Sequence, residues 1–214
     1  MTGLLLKDLY NLRKSLRTIG LLIVVYAAIF IHQGVDFLQP LLILLCSMMV
    51  ITSFSYDSQC KWDGYAMAMP LSRGQMVGAK YLLLLFFCLL GGAAALGVGA
   101  LSGALGQPVN WPEQLTFVAL LLCVAIIFSS IALPLLYKFG AERARLLLVM
   151  CYLLPIAAIM LLGKILPAYV LEALHGPMDY INQNITWLLP AASAVALAIS
   201  YACALAIFRK KELQ

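Results

Sequence analysis

The sequence predicts an all-α polytopic membrane protein, with six transmembrane helices and an N-terminal amphipathic interfacial helix. Three observations predict it. The 214 residues are 64% hydrophobic by a count that leaves out glycine, and only 11% charged, whereas soluble domains are roughly 45–50% apolar and about 25% charged. Mean hydropathy is +0.99, more apolar surface than a 23.3 kDa particle can hide from water. Apolar runs recur at 18–31, 37–54, 81–101, 115–137, 146–166 and 187–208, while basic residues collect in alternate gaps. Residues 1–214 are expected to form one transmembrane domain.

The first element is a helix over 3–17. Leu5, Leu9, Leu12 and Leu16 recur at helical spacing, with Lys7, Asp8, Asn11 and Lys14 elsewhere on the wheel. Such a helix lies with its leucines in the acyl boundary and its lysines among headgroups; a plain cytoplasmic extension of the first span is the alternative. A span needs about 20 residues, so the run at 18–31 is short and borrows Leu16 and Arg17, whose guanidinium can snorkel. Residues 32–36 allow only a tight hairpin with Gly34 at its tip, or else one long buried helical pair covers this region. The remaining five runs are long enough to cross.

Charge sets the orientation. Lys7, Arg13, Lys14 and Arg17 precede the first run; Lys61, Arg73 and Lys80 separate the second and third. Lys138, Arg143 and Arg145 separate the fourth and fifth, and Arg209, Lys210 and Lys211 follow the sixth, leaving Lys164 near the other side. Short loops rich in Lys and Arg stay cytoplasmic, so both termini are expected inside. The net charge of +5 thus reflects topology and implies no nucleic-acid partner. The basic start followed by an apolar run imitates a secretory signal, but no clear small-x-small cleavage site follows and the N-terminus is expected to be retained.

Catalytic and metal chemistry find little support. The six cysteines include no C-x-x-C pair; five fall in apolar runs, and Cys60 sits in a semi-polar loop. There is no G-x-x-x-x-G-K-[ST], H-E-x-x-H or G-x-S-x-G motif. No carboxylate or histidine sits centrally in a run, as an ion-coupled carrier would need. Serines and threonines such as Thr52, Ser53, Ser129, Ser130, Ser193 and Ser200 are the main polar groups within the spans, and each can bond its own helix. A mostly apolar pathway suits an amphiphilic, peptidic or lipid-like cargo. Within the third run, Ala93/Gly97 and Ala95/Gly99 have the small-xxx-small spacing of close helix packing.

The most structured loop is WDGYAMAMPLSR, residues 62–73. Trp62, Tyr65, Ala66 and Met69 are expected to share a helical face, and Pro70 to end that helix. Ser72 and Gln75 spell a capping box, and Leu71 and Met76 a hydrophobic staple, for a second helix running through Lys80 into the third span. Arg73 and Lys80 read as markers of the bilayer boundary. The loop helix is either a lever rigidly tied to that span or a surface segment anchored by Trp62.

The same residues carry a resemblance. Asp57, Trp62, Pro70, Ser72, Arg73, Val77, Lys80 and Tyr81 occur in the order of the signature of small ABC-2 type transporter permeases, and Pro134, Tyr137, Lys138, Phe139 and Gly140 resemble the family's second inner loop. Gly64 and Gly74 depart from the helix formers usual there. The resemblance implies a dimeric permease, homo- or heterodimeric, of a bacterial plasma-membrane exporter. A separate cytoplasmic ABC ATPase would bind ATP and Mg2+, with no cofactor in this chain. It also implies an ATPase-coupling set of Asp57, Trp62, Tyr65, Met69, Pro70, Arg73, Arg143 and Arg145, with the two later arginines facing acidic ATPase residues or lipid phosphate. Rival expectations are a membrane enzyme acting on lipid or prenyl substrates, for which the Asp57/Lys61/Asp63 cluster is the one polar candidate, and a non-transporting immunity or interaction protein.

Overall fold

The computed structural model describes residues 2–30, 38–60, 62–68, 72–106, 109–165 and 168–210. Side chains are described in these except at 2, 27–30, 63, 67, 68, 141–165 and 168–183. The described residues form helices and short turns, with no strand among them: α1 (Thr2–Phe30), α2 (Leu38–Ser47), α3 (Met49–Gln59), α4 (Trp62–Ala68), α5 (Arg73–Ala104), α6 (Trp111–Ile165) and α7 (Ala168–Lys210). Four stretches among them are long and apolar enough to cross a membrane: Leu38–Gln59, Arg73–Ala104, Trp111–Gly140 and Asn184–Lys210. They carry the second, third, fourth and sixth expected spans. The first expected span lies in α1, where Arg13, Lys14 and Arg17 leave too short a charge-free stretch after them. The fifth, 146–166, falls where side chains are not described.

The N-terminal helix differs from expectation. Residues 2–30 form one helix without a break near residue 17, and its leucine stripe meets protein. Leu12 is fully buried, and Leu5, Leu9 and Leu16 pack on the main core beside Phe54, Val77 and Leu84. The stripe therefore spends its apolar surface on α3 and α5.

The second span is divided by a turn at Met48. The Ser47 hydroxyl donates to the Leu44 carbonyl at 2.9 Å, a local bond that competes with the helical ladder. Beyond the turn, α3 continues to Gln59. By contrast, α5 starts where the sequence says: Ser72 Oγ accepts from the Gln75 amide at 3.3 Å, and the Gln75 side chain accepts from the Ser72 amide at 3.1 Å. Thirty-two unbroken helical residues follow. Helix α5 is the central post, touching α1, α2, α3, α6 and α7.

Close approach occurs at glycines. A Cβ on Gly91 would lie 3.0 Å from the Cys46 Cβ and 3.1 Å from the Ile43 Cα of α2; one on Gly92 would lie 3.0 Å from Leu122 of α6. Ala95 and Gly99 are buried on the same side of α5, with Gln114 pressed against Gly99, whereas Ala93 and Gly97 are exposed. A three-membered polar chain also ties α5, α7 and α6. Because the Ser200 hydroxyl donates to the Ser130 carbonyl at 2.5 Å, the Tyr81 hydroxyl donates to Ser200 at 2.6 Å.

Helix α6 contains one non-helical residue, Gly140, at φ 78° and ψ 169°. That region of backbone space is essentially open to glycine alone, and no atom of the described residues lies within 4 Å of a Cβ built there. Gly140→Ala is therefore expected to cost about 1–3 kcal/mol through backbone strain rather than collision, as thermal unfolding of the purified chain in detergent would show.

Candidate functional site

The site grows from the end of α3 and the start of α5. Asp57 occupies the last turn of α3, where unpaired carbonyls already place negative partial charge, so a carboxylate there needs a cation. It has two. Lys7 Nζ donates to its Oδ1 at 2.6 Å, and Lys80 Nζ lies 2.5 Å from its Oδ2. The same two ammoniums meet Asp8: Lys80 Nζ donates to Oδ2 at 2.9 Å, and Lys7 Nζ stands 3.1 Å from Oδ1, an ion contact without hydrogen-bond alignment. Lys7, Asp8, Lys80 and Asp57 thus close a ring of alternating charge. Lys80 also donates to Ser53 Oγ at 2.7 Å.

The ring is buried. The side chains of Asp8, Asp57 and Lys80 keep 3%, 9% and 10% of their surface and that of Lys7 keeps 20%. Aromatic rings enclose it: Lys7 Nζ lies 4.1 Å from the centroid of Trp62 and Lys80 Nζ 5.3 Å from that of Phe54. Phe54 meets Tyr137 edge-on at 4.9 Å, and Tyr137 meets Phe208 at 5.5 Å. A cavity of about 50 Å³ beside the ring is bordered by Trp62, Tyr137, Gly140 and Phe208, together with residues of α1, α3 and α5.

Helix α4 leans on this assembly. Trp62 and Ala66, one turn apart, face inward; Ala66 is fully buried and Trp62 packs on the core. Tyr65 lies about 100° round the wheel from Ala66 and is 70% exposed. The expected shared face of Trp62, Tyr65 and Ala66 is therefore split, because Lys7 and the core draw the indole inward. Met69 and Pro70 lie outside the described residues, and the side chains of Arg143 and Arg145 are not described. Arg73 is partly buried, and its guanidinium donates to the Arg209 carbonyl at 2.5 Å, tying the start of α5 to the end of α7.

Two expectations are corrected. Lys80, read as a bilayer-boundary lysine, is an interior member of the ring. Asp57, read with Lys61 and Asp63 as the polar candidate for a membrane enzyme, is buried between two ammoniums. Lys61 and the Asp63 side chain lie outside the description. Sequence reasoning placed Lys7 and Asp8 off the leucine stripe, with Lys7 among headgroups, and gave neither a part in the site, although Asp8, three residues after Leu5 and four before Leu12, sits on the shoulder of that stripe. Among the described residues, no group of three His, Cys, Asp or Glu side chains is placed to hold a metal ion.

A second feature lies deeper. An apolar cavity of about 450 Å³ sits between α2, α3, α5 and α6 around the Met48 turn, with Ser47 and Ser129 as its polar residues. Leu44, Met48 and Phe128 on its border are exposed, so it opens sideways.

Comparison with known families matches residues 3–209 to ABC-2 family transporter protein. No curated protein matches the chain.

Proposed function

The chain belongs to the ABC-2 family of transporter proteins and is a membrane permease subunit of an ABC transporter; from that premise we propose that α4 is the element through which a separate ATPase drives it. The observation that carries this reading is the placement of α4, held from inside by Trp62 and Ala66 and presenting Tyr65 outward just before the capped start of α5. An exposed tyrosine on a rigidly backed helix is the kind of anchor that fills a groove in a partner. ATP and Mg2+ would act in that ATPase, and closure of two ATPases would move two copies of this permease, or one and a paralogue.

The cargo we propose is amphiphilic, peptidic or lipid-like, moved out of the cytoplasm across a bacterial plasma membrane, with both termini on the cytoplasmic side. The sideways-opening apolar cavity near the Met48 turn supports that class: its volume falls in the range of ligand pockets, about 300–1,000 Å³. Its lining offers few polar groups for a sugar or a hydrated ion.

Tyr65→Asp is the test. With the full-length chain extracted from native membranes in mild detergent, the variant should lose the ATPase that copurifies with the unaltered chain, a weakening of about 30-fold or more for a tyrosine anchor. Thermal stability should be unchanged, since Tyr65 is mostly in solvent. Equal recovery of the ATPase would overturn the assignment of α4.

A further inference from the structure

The ion ring does more than neutralise buried charge, because one of its members also reaches α4. Lys7 Nζ closes the ring through Asp57 at 2.6 Å and Asp8 at 3.1 Å while standing 4.1 Å from the centre of the Trp62 indole. The ring itself draws on three helices: α1 supplies Lys7 and Asp8, α3 supplies Asp57 and Ser53, and α5 supplies Lys80. Among the described side chains of α4, Trp62 and Ala66 also meet this end of the molecule through apolar contacts.

We propose that Lys7 is a positioning residue, the joint that fixes α4 to the N-terminal helix, so that α1, α3 and α5 receive displacement of α4 as one body. The importance of this joint for transport rests on the reading of α4 given above; the joint itself does not. Two physical consequences separate it from a merely structural ion pair. Each lysine contacts both aspartates, so removing one charge leaves an unbalanced ion in a buried site, whereas removing one lysine and one aspartate leaves a neutral pair. The ring's own grip on α4, however, passes through Lys7, the described ring member that contacts Trp62. Charge balance and α4 docking can therefore be pulled apart.

The experiment uses the full-length chain in detergent with Trp111 and Trp187, both exposed, replaced by Phe, leaving Trp62 as the single tryptophan, excited selectively at the red edge beyond tyrosine absorption. Acrylamide quenching reports the undocking of α4, and thermal unfolding reports ring integrity. Lys7→Met should lower the melting temperature and raise Trp62 quenching about two- to fivefold, as loss of a partly exposed cation–π contact implies. The double variant Lys7→Met/Asp57→Asn, which keeps Lys80 on Asp8, should recover the melting temperature but not the protection of Trp62. Lys80→Met/Asp57→Asn, which keeps Lys7 on Asp8, should recover both. Lys7→Arg should stay protected, because a guanidinium can also stack on the indole. If Trp62 is as protected in Lys7→Met/Asp57→Asn as in the parent, or if quenching follows the melting temperature in both doubles, the joint is overturned. No ATPase enters this measurement, so its failure is distinguishable from a failure of the Tyr65 test.

Discussion

Asp8→Asn is expected to destabilise the protein by about 3–5 kcal/mol, the cost of breaking a buried ion pair from one side. The Asp8 side chain is 3% exposed and touches Lys80 at 2.9 Å and Lys7 at 3.1 Å. An amide of the same shape leaves two ammoniums facing the single charge of Asp57. For a chain of this size that loss corresponds to a fall of about 6–20 °C in melting temperature. It would consume a large part of a stability that is usually about 5–15 kcal/mol in total. A melting curve of the full-length variant in detergent checks it, with Asp8→Asn/Lys80→Met as the internal reference: the double should melt close to the parent because balance is restored. A single variant that melts with the parent would show that water reaches the ring and that it is not buried in solution.

Gly91→Leu is the second large effect. Even a Cβ at this position meets α2 at 3.0 Å from the Cys46 Cβ, 3.1 Å from the Ile43 Cα and 3.5 Å from the Ile43 carbonyl oxygen. Backbone cannot swing aside as a side chain can, so α2 and α5 must separate, and inserted core volume costs about 1–3 kcal/mol or more. Helix association in lipid depends on close van der Waals approach, so the loss falls on the principal contact of α2. Gly97→Leu provides the contrast: Gly97 is exposed about 120° round α5 from Gly91, with no atom of the described residues within 4 Å of a Cβ built there. It should melt as the parent does in detergent. Indistinguishable melting of the two variants would mean that α2 does not pack on Gly91.

What could be read from the sequence is what depends on near neighbours. The capping box of Ser72 and Gln75, the short helix before it and the uninterrupted helix after it all follow from spacings of a few residues, and the structure has them. The apolar runs from 37, 81, 115 and 187 were legible from composition alone. The ion ring was not, because its bonds join residues 50 and 72 positions apart. An aspartate beside a lysine on an amphipathic helix ordinarily reads as solvent-facing. The inward turn of Trp62 was illegible for the same reason: its direction is set by Lys7, on another helix. The glycine contacts were half visible. Periodicity singled out Ala93/Gly97 and Ala95/Gly99 equally, but only packing partners distinguish the buried pair from the exposed one; Gly91 shares the same spacing with Ala95, whereas Gly92 has Leu96 four positions on.

The ring also bears on how the chain is made. Asp8 leaves the ribosome before the lysine that completes its surroundings, which follows 72 residues later, after α2, α3 and α4 have been synthesised. Until then the nascent N-terminal helix carries its carboxylate with Lys7 alone to offset it, and its seat against α3 and α5 is incomplete. Final docking of α1 is therefore a late event in biogenesis, gated by the emergence of α5 rather than by the order in which the segments enter the bilayer.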